Sequence, residues 1–107
     1  MQDKINAIAE KIMGWHEEPV DGYDGYYEWI DPKGFRAAKR FNPYESWADC
    51  GMVIDRMAEL GYVIEIGITN KVSFANDTEL GYIPTWYCYN ADLKTAICDA
   101  ALKAVSE

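Results

Sequence analysis

The stretch NPYESWADCGMVIDRMAELG, Asn42 to Gly61, decides the fold, because the start, the stop and the period of one helix are all written in it. Asn42 offers a side-chain oxygen to cap a helix. Pro43 suits the first helical position, where a missing N–H does no harm, and Glu45 stands where its carboxylate reaches back to the cap. Gly61 follows the last periodic residue and takes the left-handed conformation that ends helices. Between these signals Trp47, Cys50, Ile54, Met57 and Gly61 recur at steps of three and four, with Val53 and Leu60 widening the stripe. The pattern predicts a helix of about five turns with one buried face. A helix names no function, however, and no residue pattern in this chain identifies an activity by itself.

Upstream, Ile5, Ile8, Ala9 and Ile12 make the apolar stripe of a first helix from Gln2 to Met13, with Asp3 in its first turn. Gly14 ends it, and Trp15 is expected to fold back on the last turn. HEEPVDGYDG, His16 to Gly25, reads as a loop from its Pro and its two Asp-Gly pairs. YYEWI, Tyr26 to Ile30, and FRAAKRF, Phe35 to Phe41, read as a hairpin around the turn DPKG. A two-residue turn at Pro32 and Lys33 would set Trp29 opposite Arg36, Glu28 opposite Ala37 and Tyr26 opposite Lys39.

After the central helix, YVIEIGIT, Tyr62 to Thr69, alternates as the clearest strand, with Tyr62, Ile64, Ile66 and Ile68 on one face. A turn at Asn70 and Lys71 leads into VSFAN, Val72 to Asn76. DTELG is a loop, and Tyr82 to Tyr89 is a last strand in which Pro84 marks an edge or a bulge. Asn90 or Asp92 caps a third helix, with Leu93, Ala96, Ile97, Ala100, Ala101, Ala104 and Val105 as its broad, mostly small apolar face. Together these elements predict an α/β fold of one domain, residues 1–107. The expected architecture is a three-layer α/β/α sandwich of about five short, mainly antiparallel strands with three helices. A two-layer version with every helix on one face is the alternative, since Glu65 and Gly67 leave the other side of the strongest strand polar.

Composition excludes several classes. Half of the 107 residues are apolar and 14% are aromatic, enough for a core without metal or disulfide staples. Apolar stretches are broken every few residues, so no membrane span and no signal peptide is expected, and the chain is placed in the cytoplasm. A net charge of −8 argues against binding a nucleic-acid polymer. Cys50, Cys88 and Cys98 have neither disulfide nor zinc spacing and read as buried small hydrophobes. The acids of the His16–Gly25 loop lack the ligand order of a calcium loop, and His16 is the only histidine, so no metal and no cofactor is expected.

EKIMGW (Glu10 to Trp15), FNP (Phe41 to Pro43), Ala48–Asp49 with the MVIDRM that follows, and TAICDAALKAV (Thr95 to Val105) together resemble the phage ABA sandwich domain family of small phage and prophage proteins. The pieces stand in the family's order and span nearly the whole chain. The resemblance implies an α/β/α sandwich encoded by a phage or an integrated prophage, and it transfers no catalytic or binding residue.

The chain has no G-x-S-x-G, Walker, H-E-x-x-H or dinucleotide-binding motif, so an enzyme is not expected. Lys33, Arg36, Lys39 and Arg40 gather four of the ten basic residues next to Tyr26, Tyr27, Trp29, Phe35 and Phe41. Rings stack on bases and guanidinium groups fork onto phosphate, so Trp29, Arg36, Lys39 and Arg40, with Trp86 from the last strand, are the candidate ligand-binding residues. The competing reading pairs this basic strand with Glu17, Glu18, Asp21, Asp24, Glu28 and Asp31 nearby. On the first reading the protein sequesters a nucleotide-like ligand, such as a host immune signal, in a pocket between subunits of a homo-oligomer. On the second it docks on a host or phage protein and holds no small ligand.

Overall fold

The computed structural model describes residues 2–38, 40–76 and 85–106. Helix α1 (Gln2–Ala7) widens into a π-helical turn over Ile8–Ile12, and Ile5, Ile8, Ala9 and Ile12 are buried as their spacing requires. Gly14, at φ +75°, stops it. The Trp15 N–H donates to the Ala9 carbonyl at 2.9 Å, and the buried Trp15 ring meets Phe41 edge-on at 4.9 Å between centroids.

Helix α2 (Trp47–Glu59) is the central element, but it starts later than Asn42 suggests. Ser46 is its cap, accepting from the Asp49 N–H at 3.2 Å. Asn42 organises a separate turn instead. Its Oδ1 accepts from the Tyr44 N–H at 3.1 Å, its carbonyl accepts from the Ser46 N–H at 2.9 Å, and its own N–H donates to Asp49 Oδ2 at 2.9 Å. The reason is Tyr44: its burial in the core holds residues 43–45 as a turn, so the helix can begin only beyond it. Cys50, Val53 and Met57 form the buried stripe, with Ile54 half-buried. Trp47 and Leu60, read from the sequence as part of that stripe, sit at the helix ends and are exposed, the Trp47 ring lying under the Lys94 ammonium at 4.8 Å.

Six strands are described, in two antiparallel three-stranded sheets, where the sequence suggested one sheet of about five. The first is β1 (His16–Pro19), β2 (Tyr27–Ile30) and β3 (Arg36–Ala38); the second is β4 (Tyr62–Ile66), β5 (Lys71–Asn76) and β6 (Thr85–Tyr89). The segment between β3 and β4 is taken up by the Asn42 turn and α2, which packs beside β4, so the two sheets share no ladder. β1 was legible only as loop because all four of its residues are exposed and no alternation marks them. Pairing with β2, Glu17 against Trp29 and Glu18 against Glu28, makes it a strand.

The β2–β3 register also differs from the two-residue turn. Asp31 Oδ1 accepts from the N–H groups of Lys33 and Phe35, each at 2.9 Å, closing a longer Asp31–Phe35 turn. Ile30 therefore faces Arg36 and Trp29 faces Ala38 across a bulge. In the second sheet Ile64 faces Phe74, and Val72 and Phe74 are fully buried. Ile66 keeps its place opposite Val72 but is half exposed at the strand's end, and Ile68 leaves the predicted face, because a 3₁₀ turn follows over Ile68–Asn70 with Thr69 and Asn70 at positive φ. The expected loop at 77–81 and the front of the last strand at 82–84, with Pro84, lie outside the described residues.

Helix α3 (Leu93–Val105) closes the core. Asp92 caps it, accepting from the Thr95 N–H at 3.3 Å and the Thr95 hydroxyl at 2.7 Å, while Asn90 Oδ1 accepts from the Asp92 N–H at 2.9 Å. The hydrogen bond from Thr95 holds the Asp92 carboxyl below its usual value. Ala96, Ile97, Cys98, Ala100, Ala101 and Ala104 are buried, and these small side chains let α3 pack at once on α2, on the π turn and on β5 and β6.

Candidate functional site

The β1–β2 connection carries the most developed concavity of the basic hairpin. Two stacked turns build it: the Tyr23 N–H donates to the Val20 carbonyl and the Tyr26 N–H to the Tyr23 carbonyl, each at 3.2 Å, and the Val20 N–H donates to the Tyr26 carbonyl at 2.9 Å. Gly22 and Gly25, at φ +80° and +81°, supply the left-handed positions these turns need. The loop lifts Tyr23 and Tyr26 beside β2, their rings edge-to-face at 6.3 Å. With Val20, Tyr27, Glu28 and Arg36 they line an open cavity of about 580 Å³.

Among the described residues Arg36 is the one cation in this lining, and Glu28 forms an ion pair with its Nε. Arg36 sits opposite Ile30, on the face that Glu28 shares two residues earlier, so the contact is a diagonal cross-strand pair. Glu28 is the more shielded partner, its side chain 20% exposed against 52% for Arg36.

The other candidate residues do not gather here. Arg40 lines a separate concavity of about 340 Å³ with Glu17, Tyr27, Trp29 and Phe41, and among the described residues Tyr27 alone is common to the two linings. Trp29 is buried, 7% exposed, and serves the core more than a surface. Lys39 and the side chain of Trp86 lie outside the described residues. The residues named from the sequence include Arg36 and Arg40 and not Tyr23; the structure sets Arg36 beside Tyr23, Tyr26 and Tyr27 and places Arg40 in the separate concavity. The signal for Tyr23 was the repeat of Asp-Gly and Tyr in DGYDGYY, where each glycine turn presents a ring.

A partly buried polar cluster has no counterpart in the sequence pattern. The Tyr44 hydroxyl donates to Asp99 Oδ1 at 2.8 Å, and Lys4 Nζ lies 3.3 Å from the same oxygen. Burial and then the hydrogen bond to Asp99 push the Tyr44 phenol far above its usual value. The cluster fastens α1, the Asn42 turn and α3 together, and its members are 55 and 95 residues apart, which no local pattern reveals. Nearby, Cys50 and Cys98 touch across the α2–α3 contact. The hydrogen bond with Cys50, with burial, raises the Cys98 thiol, and the same bond lowers Cys50 against its own burial.

Among the described residues no group of three or more His, Cys, Asp and Glu side chains is placed to hold a metal, and no helix is long and apolar enough to cross a membrane. A family model described as the phage ABA sandwich domain matches residues 6–102, nearly the whole chain. No curated protein and no solved structure matches.

Proposed function

The chain belongs to the phage ABA sandwich domain family, and on that premise we propose that this small phage protein is a non-enzymatic binding module that captures a nucleotide-like ligand in the cavity of the β1–β2 loop. One observation carries the reading: Tyr23, Tyr26, Tyr27 and Arg36 line a single cavity of about 580 Å³, within the size range of small-molecule sites. Tyrosine faces stack on a base without regard to its identity, and a phosphate competes with Glu28 for the Arg36 guanidinium. Sequestration requires affinity and no catalytic set, which suits a host immune signal as the ligand.

A second reading has its own support. Glu28 already neutralises Arg36, and Tyr23, Tyr26 and Tyr27 are each more than half exposed, a surface suited to docking on a host or phage protein. A thermal-shift series separates the two. Wild type and Arg36→Ala are melted against cyclic dinucleotides and ADP-ribose derivatives. Ligand at a hundred times its dissociation constant adds about 2.7 kcal/mol to wild type. Arg36→Ala loses that shift, and Arg36→Lys loses much of it with the planar fork. A flat response of wild type to the whole panel would leave docking as the better account.

A further inference from the structure

Two concavities meet at Tyr27, which among the described residues is common to the tyrosine-lined cavity with Arg36 and to the smaller one with Arg40. The two arginines are held differently. Arg36 is ion-paired with the shielded Glu28, whereas among the described residues no carboxylate stands within ion-pair distance of Arg40. Glu17 lines the same concavity as Arg40, and both are exposed. Asn42 lines it too. Its Oδ1 is taken by the Tyr44 N–H at 3.1 Å, which leaves the side-chain N–H groups as donors. A guanidinium and an amide donor in one concavity suit a phosphate. Trp29 and Phe41, also in this lining, are 7% and 6% exposed, too buried to stack on a base. The smaller concavity therefore offers a phosphate seat whose one exposed ring is Tyr27.

We propose that the captured ligand carries two phosphate groups separated by a sugar, as in a dinucleotide, with one phosphate on Arg36 and the other on Arg40. This rests on the capture reading above and narrows its ligand class. The adjacent phosphates of a nucleoside diphosphate share one bridging oxygen, too short a link to pass from one concavity to the other around Tyr27. Phosphates on either side of a ribose reach both. A base stacks on the tyrosine rings of the larger cavity, and the sugar crosses at Tyr27, which is 58% exposed. Glu17 then accepts from a sugar hydroxyl or a base amine beside the second phosphate. Only the phosphate at Arg36 has to displace a carboxylate, Glu28, so the one at Arg40 adds more to affinity.

Calorimetric titration of the full chain tests this with cyclic diadenylate and cyclic diguanylate, and with AMP, ADP, GMP and GDP as single-nucleoside probes. Wild type is expected to bind a cyclic dinucleotide about ten- to a hundredfold more tightly than the matching mononucleotide or diphosphate, the worth of one charged contact. Arg40→Ala, at an exposed site, removes that advantage and leaves mononucleotide binding unchanged, whereas Arg36→Ala weakens both. The comparison of probes on wild type needs no variant. Equal affinity of wild type for dinucleotide and mononucleotide, or an Arg40→Ala variant that keeps the advantage, would overturn the two-phosphate ligand while capture at Arg36 stands. If no probe binds wild type, capture and the second phosphate seat fall together.

Discussion

Met57→Ala and Trp47→Ala, two truncations on the same helix, should differ several-fold in cost. Met57 is fully buried in α2, which packs on α3, where the buried face is mostly alanine. Few long side chains are therefore at hand to collapse into the void, and the loss belongs in the upper half of the usual 2–5 kcal/mol for Met→Ala, about 3–4 kcal/mol. With an unfolding entropy of about 2.1 cal/mol/K per residue, this lowers the melting temperature by roughly 13–18 °C. Trp47 is 54% exposed and its ring lies under the Lys94 ammonium at 4.8 Å, a contact worth about 0.5–1 kcal/mol. Urea denaturation with a common m-value reads both losses. If Trp47→Ala costs as much as Met57→Ala, the exposed and buried faces of α2 have been assigned the wrong way round.

Ser46→Ala removes the cap of α2 and should cost about 0.5–2 kcal/mol by the same denaturation, whereas Asn42→Ala should leave the start of the helix in place by chemical shift. Stability should fall above about pH 10, by roughly 1.4 kcal/mol per pH unit for Tyr44, because the unfolded phenol ionises there while the folded one, its pKa raised, stays protonated. Tyr44→Phe should remove that one increment of slope in a pH series of urea melts. All three cysteines should titrate as free thiols, with Cys88 alkylated first and the buried Cys50 and Cys98 reacting only as the chain unfolds. Rapid native labelling of Cys50 would show its thiol to be reachable.

What was legible in the sequence was whatever local chemistry dictates. The Gly14 and Gly61 stops, the choice of Asn90 or Asp92 as the α3 cap, the stripe of the first helix and the inner face of α3 each follow from residues within one or two turns of each other. The start of α2 was misplaced because NPYE and SWAD both carry capping signals, and only the burial of Tyr44, a tertiary fact, decides between them. β1 was invisible because an exposed strand of acids owes its form to pairing with β2, not to its own pattern. The candidate residues were legible as types and not as a place. Tyrosines and arginines can be counted in a sequence, but whether Arg36 and Arg40 share a cavity depends on a bulge set by the side chain of Asp31.

Native mass spectrometry of the protein taken from infected, defence-active cells puts the binding claim to its most direct test. The expected species carries a retained adduct of nucleotide mass, and the adduct is absent from a Tyr26→Ala, Arg36→Ala variant of unchanged melting temperature. Bare protein at every charge state, or an adduct that the double variant retains in full, would contradict capture of a nucleotide in the tyrosine-lined cavity.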